Sequence, residues 1–398
     1  MKIHTLCTLG LFGLLSASSL AEATKTEANV SNVAKSENDR ASIQIALLLD
    51  TSGSMDGLIN QARSYLWKIV NEMTLARQNG KLPHIQIALY EYGNDSLKSE
   101  NQWIRQVMPL SDDLDAISTA LFGLKTNGGV ECCGAVINDA LNQLKWDDKN
   151  PEALKMIYIA GNEGFNQGSV DYKKVIPECV KKGITVNTIL CGAGYSAHDG
   201  PGWKEGSVLG DGSYLVIDHN LTPPDPETPF DKELVGLGTK LNDTYVAYGN
   251  QEQRMLKSQA QASNDAEAMN MAPSVAVGRT VAKSNKLAYK NASWDMVDVL
   301  EQDKGELIIA QMEDSVLPDE LKGKTTEEIK AYVQEKAKER EGIQKQIGEI
   351  NSKRDAWLAQ WKKDNPDKVK ENTLDQAILD SAKNQAIKKN FVFEKPKE

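Results

Sequence analysis

One stretch of this 398-residue chain constrains its fold more than any other. Ile43-Gln44-Ile45-Ala46-Leu47-Leu48-Leu49 is a nearly unbroken apolar run that ends in Asp50-Thr51-Ser52-Gly53-Ser54. Such a run without alternation reads as a strand buried on both faces, which is the situation of strands in a parallel sheet covered by helices. The residues that follow obey another period. Leu58, Ala62, Tyr65, Leu66, Ile69, Val70 and Met73 recur every three or four positions and predict a helix over 56–73. Further strands are expected at His84–Tyr92, Trp103–Met108, 156–160, 184–190 and 213–217. Helices are expected from Asp112 (capped by Ser111), over 134–145 and over 170–182. This alternation predicts an α/β fold: an open, doubly wound, Rossmann-like and mainly parallel sheet over residues 41–222. Such sheets bind ligands beyond the carboxyl ends of their strands, so the loops after strands are the places to look for chemistry.

The chain on either side differs. Residues 1–21 carry Lys2, an apolar run from Leu6 to Leu14 too short to span a bilayer, and a small-residue stretch closing on Ser19-Leu20-Ala21. That is the layout of a cleaved signal peptide, with processing near Ala21 and a periplasmic or secreted destination. Cys7 lies too early to be a lipoprotein attachment site. Residues 22–40 lack a hydrophobic period and read as a flexible leader. At the other end, Pro223, Pro224, Pro226 and Pro229 mark a Pro-rich linker over 223–230. Residues 231–398 read as an all-α domain. Leu234, Leu237, Leu241, Tyr245 and Tyr248 keep helical spacing up to Gly249, and a short helix surrounds Val297. A long helix starts at Thr325 or Thr326, with Ile329, Val333, Ile343, Ile347, Ile350, Trp357 and Trp361 on one stripe. Lys336, Arg340 and Arg354 interrupt that stripe, which favours antiparallel helical packing over a continuous coiled coil.

Composition removes several function classes. With 46 Lys plus Arg against 56 Asp plus Glu, the formal charge is −10, and removal of a leader holding Lys2 and no acid makes it −11. A chain of that sign is a poor match for a nucleic-acid backbone. No apolar span of about 20 residues follows residue 21, so the mature chain carries no transmembrane segment. Four histidines without paired ligand spacing argue against a zinc enzyme. The sequence leaves the oligomeric state open.

Asp50, Ser52 and Ser54 place a carboxylate and two hydroxyls at alternating positions of the turn after the buried strand. That spacing lets three oxygens converge above the sheet, and a set without sulfur or imidazole suits Mg²⁺ or Mn²⁺, with Ca²⁺ as a further candidate. The alternative is that the two serines only cap the following helix. Strand, Asp-x-Ser-x-Ser, helix resembles the metal-ion-dependent adhesion site of von Willebrand factor type A domains, over roughly residues 42–220. The resemblance implies that Asp50, Ser52 and Ser54 help hold a divalent cation and that a protein or peptide ligand completes its coordination. It implies recognition rather than catalysis, so no catalytic residue is assigned.

Two further family ligands meet departures. Where the family has a threonine after Gly-Gly-x, this chain has Gly128-Gly129-Val130-Glu131, which puts Glu131 at the ligand position. Glu131 is either a metal ligand or a helix-start acid, with Thr126 as a substitute upstream. Where the family has an aspartate after its fourth strand, the chain reads Ala160-Gly161-Asn162-Glu163, so Asn162 or Glu163 supplies the oxygen or merely shapes the loop. Cys132, Cys133, Cys179 and Cys191 allow three full pairings. A bridge from Cys133 (or Cys132) to Cys191 would brace two loops of the site. The loop from Gly192 to Gly212, with Tyr195, His198, Asp199, Trp203 and Lys204, is either a partner surface or a plain solvated loop. Two other functions fit the same residues: a metal-free scaffold in a cell-envelope complex, or a hydrolase using metal-activated water.

Overall fold

Strand β1 (Ala41–Asp50) is the apolar run, and its residues alternate between two hydrophobic cores. Ile43, Ile45 and Leu49 face one core, and Ala46 and Leu48 face the other, which is why the run needs no polar face. The turn after Asp50 leads to α1 (Asp56–Met73). Then come β2 (Ala76–Gln78), β3 (Pro83–Tyr92), β4 (Ile104–Ser111), α2 (Leu114–Phe122) and α3 (Cys133–Gln143). They are followed by β5 (Leu154–Gly161), α4 (Tyr172–Lys181), β6 (Ile184–Cys191), α5 (Gly200–Leu209) and β7 (Tyr214–Ile217). The computed structural model describes residues 41–192, 200–221, 226–286, 288–369 and 373–394. The expected signal peptide and leader, Tyr195, His198 and Asp199, and residues 223–225 of the Pro-rich linker lie outside them.

Six strands form one sheet in the order β4-β3-β1-β5-β6-β7, parallel except for the antiparallel edge strand β4. Helices α3, α4 and α5 cover the face of Leu48 and Tyr92, and α1 and α2 cover the face of Ile45 and Leu49. Among the described residues no helix is long and apolar enough to cross a membrane.

The rest of the chain is helical, with one small exception. The elements are α6 (Asp231–Asn242), α7 (Gln251–Met271), α8 (Pro273–Ser284), α9 (Met296–Leu300), α10 (Gly305–Ala310), α11 (Thr326–Asp364) and α12 (Leu374–Lys388). A last short strand, β8 (Phe391–Phe393), pairs antiparallel with β2. Helix α7 ends at Met271, and Pro273 occupies the first turn of the separate helix α8, where its missing N–H costs nothing. Helix α11 starts on a Thr325–Glu328 capping box and runs unbroken through Gly342 and Gly348. It packs across α6, α8, α9 and α10, so its stripe is helical packing rather than coiled coil. The described residues from Ala41 onward form one compact unit in which α12 lies against α1, β5 and β7.

Two expectations are corrected. All four described cysteines are buried free thiols, and the Cys133–Cys191 bridge is not formed. The reason is facial: Cys191 belongs to the core on the α1 side of the sheet and Cys133 to the core on the α3 side. The second correction concerns residues 200–209, which form α5 rather than a solvated loop or an aromatic partner surface. Trp203 is fully buried edge-on to Phe165, ring centroids 4.8 Å apart.

Candidate metal centre

The chain leaves β1 toward β3 and later returns on its other side as β5, so the connections diverge above the end of β1. Ligand crevices of open α/β sheets form at such a point. Asp50 ends β1 there, in register with Tyr92 of β3, while Leu49 pairs with Ala160 of β5. The turn that follows is held from within: the Ser52 N–H donates to Asp50 Oδ1 (2.7 Å) and the Met55 N–H to the Ser52 carbonyl (3.1 Å). Neighbouring loops tie into it. The Thr51 N–H donates to the Tyr92 carbonyl (2.9 Å), and the Asn127 N–H donates to the Thr51 carbonyl (2.9 Å). Asn94 Nδ2 donates to the Lys125 carbonyl (2.7 Å), closing the third side.

Two glycines let the walls approach. Gly93 has φ +77°, and a Cβ there would stand 2.9 Å from Asp50 Oδ1 and 3.0 Å from Glu131 Cγ. The Asp50 carboxylate and the Glu131 side-chain stem thus flank one backbone carbon. At Gly161 a Cβ would fall 2.5 Å from the Tyr92 hydroxyl and 2.9 Å from Asp50 Oδ2. The position where the family resemblance leads one to expect an aspartate is therefore occupied by the space that Asp50 and Tyr92 need.

Asp50, Ser52, Glu131 and Asn162 are brought together and are all buried. Ser54 is exposed at the rim, and its Oγ accepts from Asn162 Nδ2 (3.0 Å). Glu163 is exposed, its carboxylate accepting from Gln167 (3.1 Å), and acts on the centre through its charge. Thr126 is engaged elsewhere, donating to Asp56 at the start of α1. Burial pushes Asp50 up to about 7, against the pull of its hydrogen bonds from Ser52 and with help from Glu131 and Glu163. Burial likewise pushes Glu131 up to about 7, reinforced by Glu163.

Three buried oxygens at this point have no hydrogen-bond partner: Asp50 Oδ2, Ser52 Oγ and Asn162 Oδ1. Buried polar atoms are seldom left unmatched, and three around one carboxylate pair are what a cation would satisfy. Carboxylate, hydroxyl and amide oxygens fit a hard divalent ion. Among the described residues no three His, Cys, Asp or Glu side chains group as metal ligands. A cation here would therefore rest on Asp50 and Glu131 together with the neutral oxygens of Ser52, Ser54 and Asn162.

Three neighbours went unread in the sequence. Tyr92 donates its hydroxyl to the Ala160 carbonyl (2.9 Å) and, with Gly93, forms the β3 wall; their place directly after a predicted strand was the available signal. His219, beyond β7, sits beside the Ser54 backbone with a buried, unpartnered Nδ1, and burial lowers its pKa. No spacing in the sequence points to it.

Residues 44–199 match the family model of the von Willebrand factor type A domain. No curated protein matches the chain. Among solved structures it is similar to proximal thread matrix protein 1 of the mussel byssus, at 13% identity and a TM-score of 0.34, covering 45% of this chain and 42% of that one. It thus spans less than half of the mussel protein. It is also similar to BatB from Bacteroides thetaiotaomicron (13% identity, TM-score 0.34, covering 56% and 98%). The VWA domain of SpRpn10 is similar at 14% identity and a TM-score of 0.33, covering 44% and 87%.

Proposed function

We propose that this chain recognises a protein or peptide partner through a divalent cation, Mg²⁺ or Mn²⁺, held by Asp50, Ser52, Ser54, Glu131 and Asn162. The observation that carries the reading is the trio of unpartnered buried oxygens on Asp50, Ser52 and Asn162. The type A match over 44–199 supports recognition, since such domains mediate protein interactions. Bound there, the cation would act as a Lewis acid that accepts an oxygen of the partner. Asp50 and Glu131 bring two negative charges, which offset the ion's own. The partner's oxygen is then held by its coordination geometry more than by net attraction, and the rim formed by Ser54 and the loop from Gly128 shapes what can reach it. The function is binding, without a catalytic residue.

The test is thermal unfolding of the full chain with MgCl₂, MnCl₂ or CaCl₂ against chelator, repeated on Asp50→Ala. At about 100 times the dissociation constant, a real site stabilises by about 2.7 kcal/mol. Asp50→Ala should abolish that gain. An unchanged melting curve of the wild type with all three cations would remove the ion from the proposal.

A further inference from the structure

Away from the sheet crevice, α8 packs against both α1 and α11. The three helices enclose a cleft of about 620 Å³, lined by the second half of α1 and by residues of the other two. That volume lies within the range of small-molecule sites, about 300–1,000 Å³. We propose that the cleft binds a small organic anion, with an apolar body against the half-buried Tyr65, Leu75 and Val281 and a carboxylate or phosphate head at Arg354.

The walls carry unmade hydrogen bonds. Arg354 is 7% exposed; its Nε donates to Asp231 Oδ1 (2.8 Å), while Nη2 has no partner. The indole Nε1 of Trp67 and Oδ1 of Asn71, both residues of the same lining, are also buried and unpartnered. Asn71 Nδ2 donates to the Gly278 carbonyl (3.0 Å), which fixes how the amide is turned. Buried donors and acceptors are rarely left so, and three on one cleft mark a place where a ligand completes them. Donors outnumber acceptors in this set, and a guanidinium with an unused N–H is shaped for carboxylate or phosphate.

The charges of the lining agree. Its acids are engaged, Glu72 with Lys383 (2.7 Å) and Asp355 with the Asn351 amide (3.0 Å). Lys68 is matched by Asp375 (2.6 Å), and the Arg354 guanidinium shares Asp231 with Thr228, whose hydroxyl and N–H both donate to that carboxylate. Gly348 lines the cleft from α11, and a Cβ there would meet nothing within 4 Å. Glycine is a poor choice within a helix, and at this position it keeps the wall low.

The probe is anilinonaphthalene sulfonate, an aromatic organic anion whose fluorescence rises in an apolar site, titrated against the full-length protein. One saturable site is expected. Decanoate and decyl phosphate, which separate the two head groups, should displace the probe about tenfold more readily than decanol does. Gly348→Phe, which adds a ring to the cleft wall at a position where a Cβ meets nothing within 4 Å, should weaken the probe by about tenfold or more. Arg354→Met should erase the preference over decanol, and Asp50→Ala should leave binding unchanged. No saturable site, equal binding by Gly348→Phe, or equal displacement by decanol would overturn the proposal and leave ordered water as the partner of these atoms.

Discussion

Asp50 is a buried carboxylate with one satisfied oxygen and one bare one, and everything around it is arranged to keep it so. The two-residue spacing of Asp50, Ser52 and Ser54 was legible because it depends only on a turn after a buried strand. Glu131 and Asn162 were legible through their loops, and the structure brings Glu131 beside Asp50 across Gly93 and Asn162 onto Ser54. What the sequence could not convey is close approach, since a glycine letter does not say what stands against its missing side chain. At Gly161 the answer is the Tyr92 hydroxyl and Asp50 Oδ2. Gly161→Ala must push both aside inside a packed wall, and overpacking of this kind costs about 1–3 kcal/mol. Urea unfolding should show a lowered midpoint with an unchanged slope, and the response to Mg²⁺ should weaken with it. A variant as stable as the wild type would mean that the wall yields freely and that Gly161 is not what positions Asp50.

The helical elements show how a pattern read correctly can carry the wrong weight. The apolar stripe of α11 was legible, and Arg340 and Arg354 looked like interruptions of it. Both are buried within it and paired. The Arg340 guanidinium lies 4.3 Å over the Tyr245 ring and donates to Asp295 and Asp298 (2.7 Å each) and to the Thr244 carbonyl (3.0 Å). Sequence spacing cannot reveal such partners, because they arrive from α9 and from the loop after α6, far away along the chain. Breaking a buried ion pair from one side costs about 3–5 kcal/mol, so Arg340→Met should be destabilised by that amount at pH 8. The pH dependence has a definite sign. Burial and the neighbouring Asp295 already raise Asp298 to about 6, and removal of the cation raises it further. A carboxyl whose folded pKa exceeds its unfolded value favours the folded state at low pH and loses that advantage as pH rises through the folded value. The gap between Arg340→Met and wild type, measured by urea unfolding, should therefore shrink from pH 8 to pH 5. An equal gap at both values would show that the two acids do not carry the cost.

The doubly wound sheet was legible almost strand by strand, because its buried strands and amphipathic helices are local patterns. The role of the C-terminal region was not, because burial against a distant face leaves no mark at 374–393 beyond an ordinary mixture of Leu, Ile, Ala and polar residues. Leu374, Ile378, Leu379 and Phe391 belong to the same core as Ile45, Leu49 and Leu66. The ties are polar as well: the Leu374 N–H donates to Gln61 Oε1 (3.0 Å), Tyr158 and Ser381 share a hydrogen bond (2.7 Å), and Gln385 Nε2 donates to Asn187 Oδ1 (2.5 Å). Burying four such side chains contributes about 1.5–3 kcal/mol each, or about 6–12 kcal/mol together. A typical domain has about 5–15 kcal/mol in all, so this C-terminal segment, helix and strand together, is comparable to the entire margin. Residues 41–222 produced alone should then lack a cooperative thermal transition by circular dichroism. A chain ending at 372 should melt far below the full protein, and a peptide spanning 373–394 added in trans should raise that melting temperature. If the 41–222 fragment melted cooperatively at the full-length temperature, the sheet would be a self-sufficient body and α12 a passenger on it.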